Sequence, residues 1–293
     1  MKKRIIAQII GSILPNSYFQ VIATKVIYRG QLKGICAPLF NCYACPLATV
    51  SCPIGTLQHF SAIAKIPYYV IGYLSLIGLA VGRMACGWIC PFGFFQDLMA
   101  KIKTRKFRFP PSLRYLKYVI LVILVFLIPF LTHVNWFSKL CPWGALEASI
   151  PWALWNPSDP AFLSLMPDNA PVRDLIEGPF YLKMVILVGF LGLMLFYKRA
   201  FCFLACPLGA IFSLFNKISI LRLGVDTETC TQCNKCLRDC PVSIKVYEDP
   251  NSLDCIRCLQ CTKCSKVSVY STFGKKPITR DEKSEAGYQS FDQ

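Results

Sequence analysis

The amino-acid sequence predicts an α-helical integral membrane protein of about four transmembrane helices, followed by a small C-terminal α+β domain. Of the 293 residues, 54% are hydrophobic and only 16% are charged, a composition that favours a membrane protein. Eight of the 17 cysteines lie between residues 230 and 264, which indicates a separate small domain with metal ligands. We therefore expect a membrane domain over residues 1–222, a cysteine-rich domain over 223–273 and a polar tail over 274–293.

Four apolar segments are expected to span the membrane, because a helix needs about 20 residues to cross the hydrocarbon core. They comprise residues 5–24, 66–82, 118–137 and 180–197, and the second continues as an apolar stretch to residue 96. Pro15 interrupts the first segment, so we expect neighbouring helices to shield it.

The positive charges predict the orientation of these spans. Seven Lys or Arg residues lie between residues 101 and 117, whereas the loop over 135–179 contains two. The positive-inside rule places the basic segment over 101–117 on the cytoplasmic side of a prokaryotic inner membrane. Both termini and the cysteine-rich domain are expected on the same side. The loops over 28–65 and 135–179 then face outward. Because the basic residues lie beside apolar spans, the net charge of +16 indicates membrane topology and no nucleic-acid partner.

The run CTQCNKCLRDCP over residues 230–241 has the spacing of bacterial two-cluster ferredoxins. In that pattern three cysteines hold one 4Fe-4S cluster and the fourth reaches the other cluster. The second run, CIRCLQCTKC over 255–264, departs from the pattern because two residues precede its last cysteine and Ser265 replaces a proline. Structural zinc sites and disulfides are the alternatives. The predicted ligands are Cys230, Cys233, Cys236 and Cys264 for the first cluster, and Cys240, Cys255, Cys258 and Cys261 for the second.

A sequence motif occurs twice, once after the second expected span and once after the fourth. RMACGWICPFG over residues 83–93 aligns with RAFCFLACPLG over 199–209. Cysteines four apart lie on one face of a helix, so two such pairs across a pseudo-twofold axis could present four thiolates. The alternative is that these cysteines are free thiols that pack as small apolar side chains. The candidates for this additional metal site are Cys86, Cys90, Cys202 and Cys206.

The loop over residues 28–65 contains a further group of cysteines. Cys36, Cys42, Cys45 and Cys52 could form another metal site or two disulfides, and the spacing does not decide between them. A shorter CPxG motif begins at Cys52 and again at Cys141, both on the outward side.

Other residues suggest little further chemistry. Asp97 and Glu147 lie near CPxG motifs and could transfer protons, although a carboxylate at a membrane edge is usually solvated or paired. Trp143, Trp152 and Trp155 are expected to form an interfacial belt. The sequence lacks the GxxxxGK[ST], GxGxxG and HExxH motifs.

The segment GICAPLFNCYACP, the two CxxxCP motifs and the C-terminal double run together resemble the NapH and MauN family of membrane ferredoxin-type proteins, which is related to the membrane half of NosR. The resemblance extends to about residue 268. It implies an iron-sulfur electron-transfer protein that exchanges electrons with quinone and with a partner redox enzyme, as a candidate subunit of a quinol-oxidising oxidoreductase. An alternative is a maturation or regulatory factor that supplies electrons to thiols or metal centres of a client respiratory enzyme.

Overall fold

A computed structural model describes residues 2–24, 26–155, 176–226 and 230–273. The α-helices are α1 (Lys2–Ile13), α2 (Val21–Thr24), α3 (Pro53–Ala62), α4 (Tyr68–Val81), α5 (Met84–Trp88), α6 (Pro91–Met99), α7 (Leu116–Ile120), α8 (Ile128–Thr132), α9 (Trp136–Leu140), α10 (Pro142–Gly144), α11 (Ile150–Trp155), α12 (Gly178–Phe196), α13 (Ala200–Leu204), α14 (Pro207–Phe215) and α15 (Lys235–Asp239). Two π-helical segments, Leu121–Leu127 and Ala145–Ser149, join α7 to α8 and α10 to α11. The expected tail over 274–293 lies outside the described residues.

Three helical segments in the described ranges are long and apolar enough to cross a membrane: Lys3–Thr24, Ser112–Thr132 and Gly178–Phe196. They correspond to the first, third and fourth expected spans. The second expected span is a shorter apolar helix, α4, of 14 residues. At 1.5 Å per residue it is about 21 Å long, less than the hydrocarbon core, so the count of four spans stays a prediction.

A glycine with a left-handed backbone ends α4. Gly82 has a φ of 58°, and a Cβ atom there would lie 2.6 Å from Oδ1 of Asn216. Glycine tolerates both this conformation and this close approach. The chain therefore turns directly into α5, where the first copy of the cysteine motif begins.

The first helix shows how the bundle is oriented. Near its start, Arg4 donates to the carbonyl oxygen of Gly87 at 3.0 Å. Beyond its end, Asn16 donates to Asn41 at 2.9 Å. The first helix therefore contacts the CxxxCP segment at one end of the bundle and the cysteine-rich loop at the other. We call the end with the two CxxxCP motifs the motif end, and the end with residues 36–52 and 133–155 the loop end.

The C-terminal domain contains a two-stranded antiparallel sheet, in which β1 (Leu221–Val225) pairs with β2 (Val267–Ser271) and Leu223 lies opposite Val269. Helix α15 and a 3-10 turn at Cys261–Lys263 complete it. Its small core is built from Leu223, Val246, Cys255, Cys261 and Val267. The cysteines therefore supply part of the apolar core, which suits a domain too small to bury many aliphatic side chains.

Polar contacts attach this domain to the motif end of the bundle. Lys117 forms an ion pair of 2.6 Å with Asp254, and both side chains are at most 6% exposed. Asn216 donates to the carbonyl oxygens of Ser252 at 2.9 Å and Cys255 at 2.7 Å. These buried bonds fix the cysteine-rich domain against the membrane domain.

Candidate metal centres

Each CPxG motif begins a helix in the same way. Cys90 and Cys206 are the N-caps of α6 and α14, and proline occupies the first helical turn in both. Proline suits that position because its missing N–H would have no partner inside the helix. The amide of Gly209 donates to Sγ of Cys206 at 3.2 Å. The motif therefore directs a helix-terminal amide at the cysteine sulfur.

The two copies of the repeat interlock through their arginines. Arg83 donates to the carbonyl oxygen of Cys202 at 2.6 Å, and Arg199 donates to the carbonyl oxygen of Cys86 at 2.8 Å. A Cβ atom on Gly209 would lie 2.6 Å from Nη2 of Arg83. The motif glycine is therefore needed for the close approach of the partner arginine. This reciprocal pattern fits the pseudo-twofold arrangement that the sequence repeat predicted.

The structure brings the four motif thiols together. Cys86, Cys90, Cys202 and Cys206 are each 5% exposed. Burial, together with the charges of Cys86 and Cys202, raises the pKa of Cys90 to about 12. Burial likewise raises the pKa of Cys206, again with contributions from Cys202 and Cys86. The mutual influence of these thiols places them in one site.

Gln96 positions one of these thiols. Its side-chain amide donates to Sγ of Cys202 at 3.0 Å and accepts from the backbone amide of Phe201 at 3.1 Å. Gln96 is fully buried. A buried amide with both ends bonded holds the thiol in one orientation.

Arg83 supplies positive charge to this site. It is 1% exposed, and none of the salt bridges found among the described residues includes it. Burial alone would lower the pKa of Arg83, but the charges of Cys86, Cys202 and Asp254 raise it above its ordinary value. A buried cation requires nearby negative charge. Asp254 supplies part of that charge and the motif thiols could supply more as thiolates, so the residues fit an iron-sulfur cluster held at this position.

Asp97 is paired and not a free proton carrier. Arg199 donates to both of its carboxylate oxygens at 2.7 Å, and Arg4 forms a second ion pair with it. Burial alone would raise the pKa of Asp97, but the charge and hydrogen bonds of Arg199 hold it below its usual value. Of the two alternatives for this residue, the structure supports pairing.

The two C-terminal cysteine loops share one backbone pattern. In each loop the residues two and four positions after the first cysteine have a left-handed φ between 47° and 59°. These residues are Gln232, Asn234, Arg257 and Leu259. Non-glycine residues seldom adopt this conformation, so its recurrence at matching positions indicates two equivalent loops. The backbone therefore fits the two cluster-binding loops predicted from the spacing.

The last cysteine of each loop lies with the opposite loop. Burial raises the pKa of Cys236, and the charges of Cys230 and Cys264 contribute. The departure from the ferredoxin spacing therefore does not remove Cys264 from its expected neighbours.

The thiols of the second predicted set also influence one another. Burial raises the pKa of Cys255 to about 12, with contributions from Cys240 and Cys258. Burial, followed by the charges of Cys255, Cys258 and Cys240, also raises the pKa of Cys261. Cys233 of the first set is exposed, whereas Cys240, Cys255 and Cys261 of the second are buried.

The second set lies against the motif end of the bundle. Trp88 donates from Nε1 to the carbonyl oxygen of Arg257 at 3.0 Å. A Cβ atom on Gly87 would overlap the carbonyl oxygen of Ile256. Cys258 packs against the same hydrophobic core that contains Cys86 and Cys90. The motif thiols and the second ferredoxin loop are thus in one continuous packed region.

A cavity of about 590 Å³ opens at the loop end. Cys42, Cys52 and Cys141 line it, whereas Cys36 and Cys45 do not. The predicted group of four loop cysteines is therefore only partly assembled here. Cys141 was not among the predicted ligands, although its CPxG motif could have suggested it. All described cysteines are free thiols.

The structure bears on two remaining expectations for the loop end. Glu147 accepts from the backbone amide of Cys42 at 2.6 Å, and burial raises the pKa of Glu147 to about 8. Trp143 and Trp152 are each 8% exposed. Trp143 stacks on Phe92 with ring centroids 4.7 Å apart. These two tryptophans belong to the protein core, so the interfacial belt expected from them is wrong.

No three His, Cys, Asp or Glu side chains in the described ranges are arranged to hold a single metal ion. This holds for the C-terminal loops as well, although the spacing of their cysteines is typical of iron-sulfur clusters. A cluster of several irons separates its thiolates more widely than one ion does.

Comparison with known proteins agrees with this chemistry. A family described as a 4Fe-4S binding domain matches residues 70–110 and 180–225. These segments contain both CxxxCP motifs and end before Cys230. No solved structure matches the chain.

Several curated proteins are similar over most of the chain. An uncharacterized protein of Methanocaldococcus jannaschii is 29% identical over 77% of this chain and 88% of its own. Ferredoxin-type protein NapH of Escherichia coli is 26% identical over 80% of this chain and 71% of its own. Methylamine utilization ferredoxin-type protein MauN of Methylorubrum extorquens is 27% identical over 66% of this chain and 56% of its own. The predicted resemblance is confirmed: this chain is similar to the NapH and MauN ferredoxin-type proteins.

Proposed function

We propose that this protein relays electrons between the membrane quinone pool and a partner redox enzyme, as a quinol dehydrogenase-type subunit. The observation that carries the proposal is the packing of two thiol sets across one junction. Three of the four motif thiols, Cys86, Cys90 and Cys206, share a hydrophobic core with Ile256 and Cys258 of the second ferredoxin loop. Similarity to NapH and MauN supports the same electron-transfer chemistry.

The ligand roles follow from the thiol sets. Cys86, Cys90, Cys202 and Cys206 would hold a cluster at the motif end. Cys240, Cys255, Cys258 and Cys261 would hold one beside the bundle, and Cys230, Cys233, Cys236 and Cys264 would hold one farther out. An iron-sulfur cluster, when bound, supplies one-electron transfer at a potential set by burial, charge and hydrogen bonds to sulfur.

Other residues of the protein compensate the charge of these thiols, orient them or favour their ionisation. Arg83 offsets thiolate charge at the motif end, and Gln96 orients Cys202 through its 3.0 Å hydrogen bond. At the outer loop, the backbone amide of Lys235 is the chief cause of the lowered pKa of Cys233. A thiol that ionises readily is a better metal ligand. The exposure of Cys233 makes this loop the proposed contact for a partner redox protein.

The proposed orientation follows the positive-inside rule. The basic segment over 101–117 would lie in the cytoplasm, with the ferredoxin loops on the same side. Electrons would then leave or enter the protein at its cytoplasmic face.

Exchange with quinone can be tested on the full chain, purified anaerobically in detergent. Dithionite first reduces every accessible iron-sulfur centre, and the electron paramagnetic resonance signal records the reduced amount. Decylubiquinol or menadiol added to oxidised protein, or the matching quinone added to reduced protein, should change that signal. The Cys86→Ala/Cys202→Ala variant should slow the exchange at least tenfold, whereas Lys245→Ala at an exposed ion pair should not. If centres that respond to dithionite exchange electrons with no quinone in either direction, the proposal is wrong.

A further inference from the structure

We propose that Cys42, Cys52 and Cys141 hold an additional iron-sulfur cluster in the cavity at the loop end of the bundle. The three thiols come from separate parts of the chain and converge on one cavity. Gly144 allows the convergence, because a Cβ atom there would lie 3.5 Å from Sγ of Cys42 and 3.8 Å from Cβ of Cys141.

The local structure repeats that of the motif end. Cys52 and Cys141 are N-caps of α3 and α10, and proline follows each of them, as it does at Cys90 and Cys206. The amide of Gly144 donates to Sγ of Cys141 at 3.4 Å, close to the 3.2 Å bond at Cys206. The motif-end copies lie in the segments matched by a 4Fe-4S binding domain. The same thiol-presenting device therefore occurs at both ends of the bundle.

A buried cation faces this cavity. Lys183 lines it, is 9% exposed and donates to Oγ of Ser149 at 2.9 Å. The salt bridges found in the described part of the chain do not include Lys183. Its charge lowers the pKa of both Cys42 and Cys141, although burial raises the pKa of each to about 12. A buried ammonium group without a carboxylate partner favours an anionic occupant.

The size and walls of the cavity favour a cluster over the alternatives. A single ion would leave most of 590 Å³ empty. A neutral quinone would leave the Lys183 charge uncompensated. Thiolate ligands balance that charge, and each thiol releases its proton to solvent when its sulfur binds iron. Phe40, Phe137 and Trp143 line the same cavity and exclude water from a bound cluster.

Iron and acid-labile sulfide counts on anaerobically purified full-length protein test the proposal. Cys52→Ala/Cys141→Ala should lose about three to four irons per chain, the content of one cluster. Cys45→Ala is the matched control, because Cys45 is buried but does not line the cavity. It should keep all iron. The ferredoxin resonance signal should persist in both variants, which shows that the chain has folded.

An unchanged iron content in the double variant would overturn the proposal. A variant that keeps its iron but stops exchanging electrons with quinone would assign the cavity to quinone. Because Cys86 and Cys202 hold a separate site, failure here would leave the motif-end proposal intact.

A second measurement uses the unmodified protein. In the folded protein under anaerobic, non-reducing conditions, Cys42, Cys52 and Cys141 should resist alkylation, and after acid denaturation with a chelator all three should be alkylated as free thiols. Mass spectrometry that finds a disulfide joining any two of them would overturn the proposal even if the double variant does not fold.

Discussion

The guanidinium group of Arg83 donates a 2.6 Å hydrogen bond to the carbonyl oxygen of Cys202, in the other copy of the repeat. In the reciprocal contact, Arg199 donates to the carbonyl oxygen of Cys86 at 2.8 Å. Each copy of the motif thus positions a cysteine of the other copy. The pair of arginines explains why the repeat includes arginine as well as CxxxCP.

Replacing Arg83 with methionine should lower the reduction potential of the motif-end centre. A buried cation stabilises the reduced, more negative form, so its removal favours oxidation. We expect a shift of about 60 mV or more, a tenfold change in equilibrium constant for a one-electron couple. A redox titration followed by electron paramagnetic resonance measures the shift. Lys245→Met, which removes an exposed cation, should leave the potential unchanged, and an equal shift in both variants would argue against a local effect of Arg83.

Asp97→Asn should destabilise the packing of the two motif copies. Breaking one side of a buried ion pair costs about 3–5 kcal/mol, because Arg199 would keep its charge without a partner. The pKa of Asp97 is lowered in the folded protein from 3.8. Its contribution to stability is therefore present above pH 3.8 and is lost as the pH falls through the folded pKa. Thermal unfolding in detergent should show a gap between wild type and variant that is constant near pH 7 and closes in acid. A gap that does not depend on pH would contradict the ion-pair explanation.

Lys117 and Asp254 should show coupling in a double-mutant cycle. Lys117→Met alone removes the ion-pair partner 2.6 Å from the buried Asp254, and should cost about 3–5 kcal/mol of unfolding free energy. Adding Asp254→Asn should recover most of that loss, since no unpaired charge remains. Additive losses in the double variant would show that the pair does not attach the ferredoxin domain to the bundle.

Gly87→Ala should loosen the junction between the motif end and the second ferredoxin loop. The added methyl group would overlap the carbonyl oxygen of Ile256, and backbone atoms cannot move aside cheaply. Limited proteolysis should release the C-terminal domain faster from this variant. Gly72→Ala is the matched control, since a Cβ atom there meets nothing within 4 Å. Equal proteolysis rates in the two variants would contradict the packing that the junction requires.

The cysteine spacing and the internal repeat predicted much of the site. They indicated the pairing of Cys264 with the first loop and the convergence of the four motif thiols. The pairing of Asp97 with Arg199 could not be predicted, because it joins residues 102 positions apart. The expected second span, residues 66–82, coincides with α4, but the turn at its end could not be predicted, because hydropathy continues past Gly82 and only the backbone shows the left-handed conformation.

Cys141 was missed for a different reason. Nearness in the chain groups the cysteines of residues 36–52 with one another, whereas the cavity is lined by the thiols of residues 42, 52 and 141. Burial of Trp143 and Trp152 also depends on tertiary packing, because tryptophans in a short apolar loop are as typical of a membrane interface as of a core.

Iron counting on the Cys86→Ala/Cys202→Ala variant tests the central claim, a cluster held by the repeated motif, most directly. We expect this variant to lose about four irons and four sulfides relative to wild type while the ferredoxin resonance signal remains. Cys45→Ala serves as the control for removing a buried thiol elsewhere. If the double variant kept every iron of the wild-type protein, the repeated motif would not hold a cluster and the central claim would be wrong.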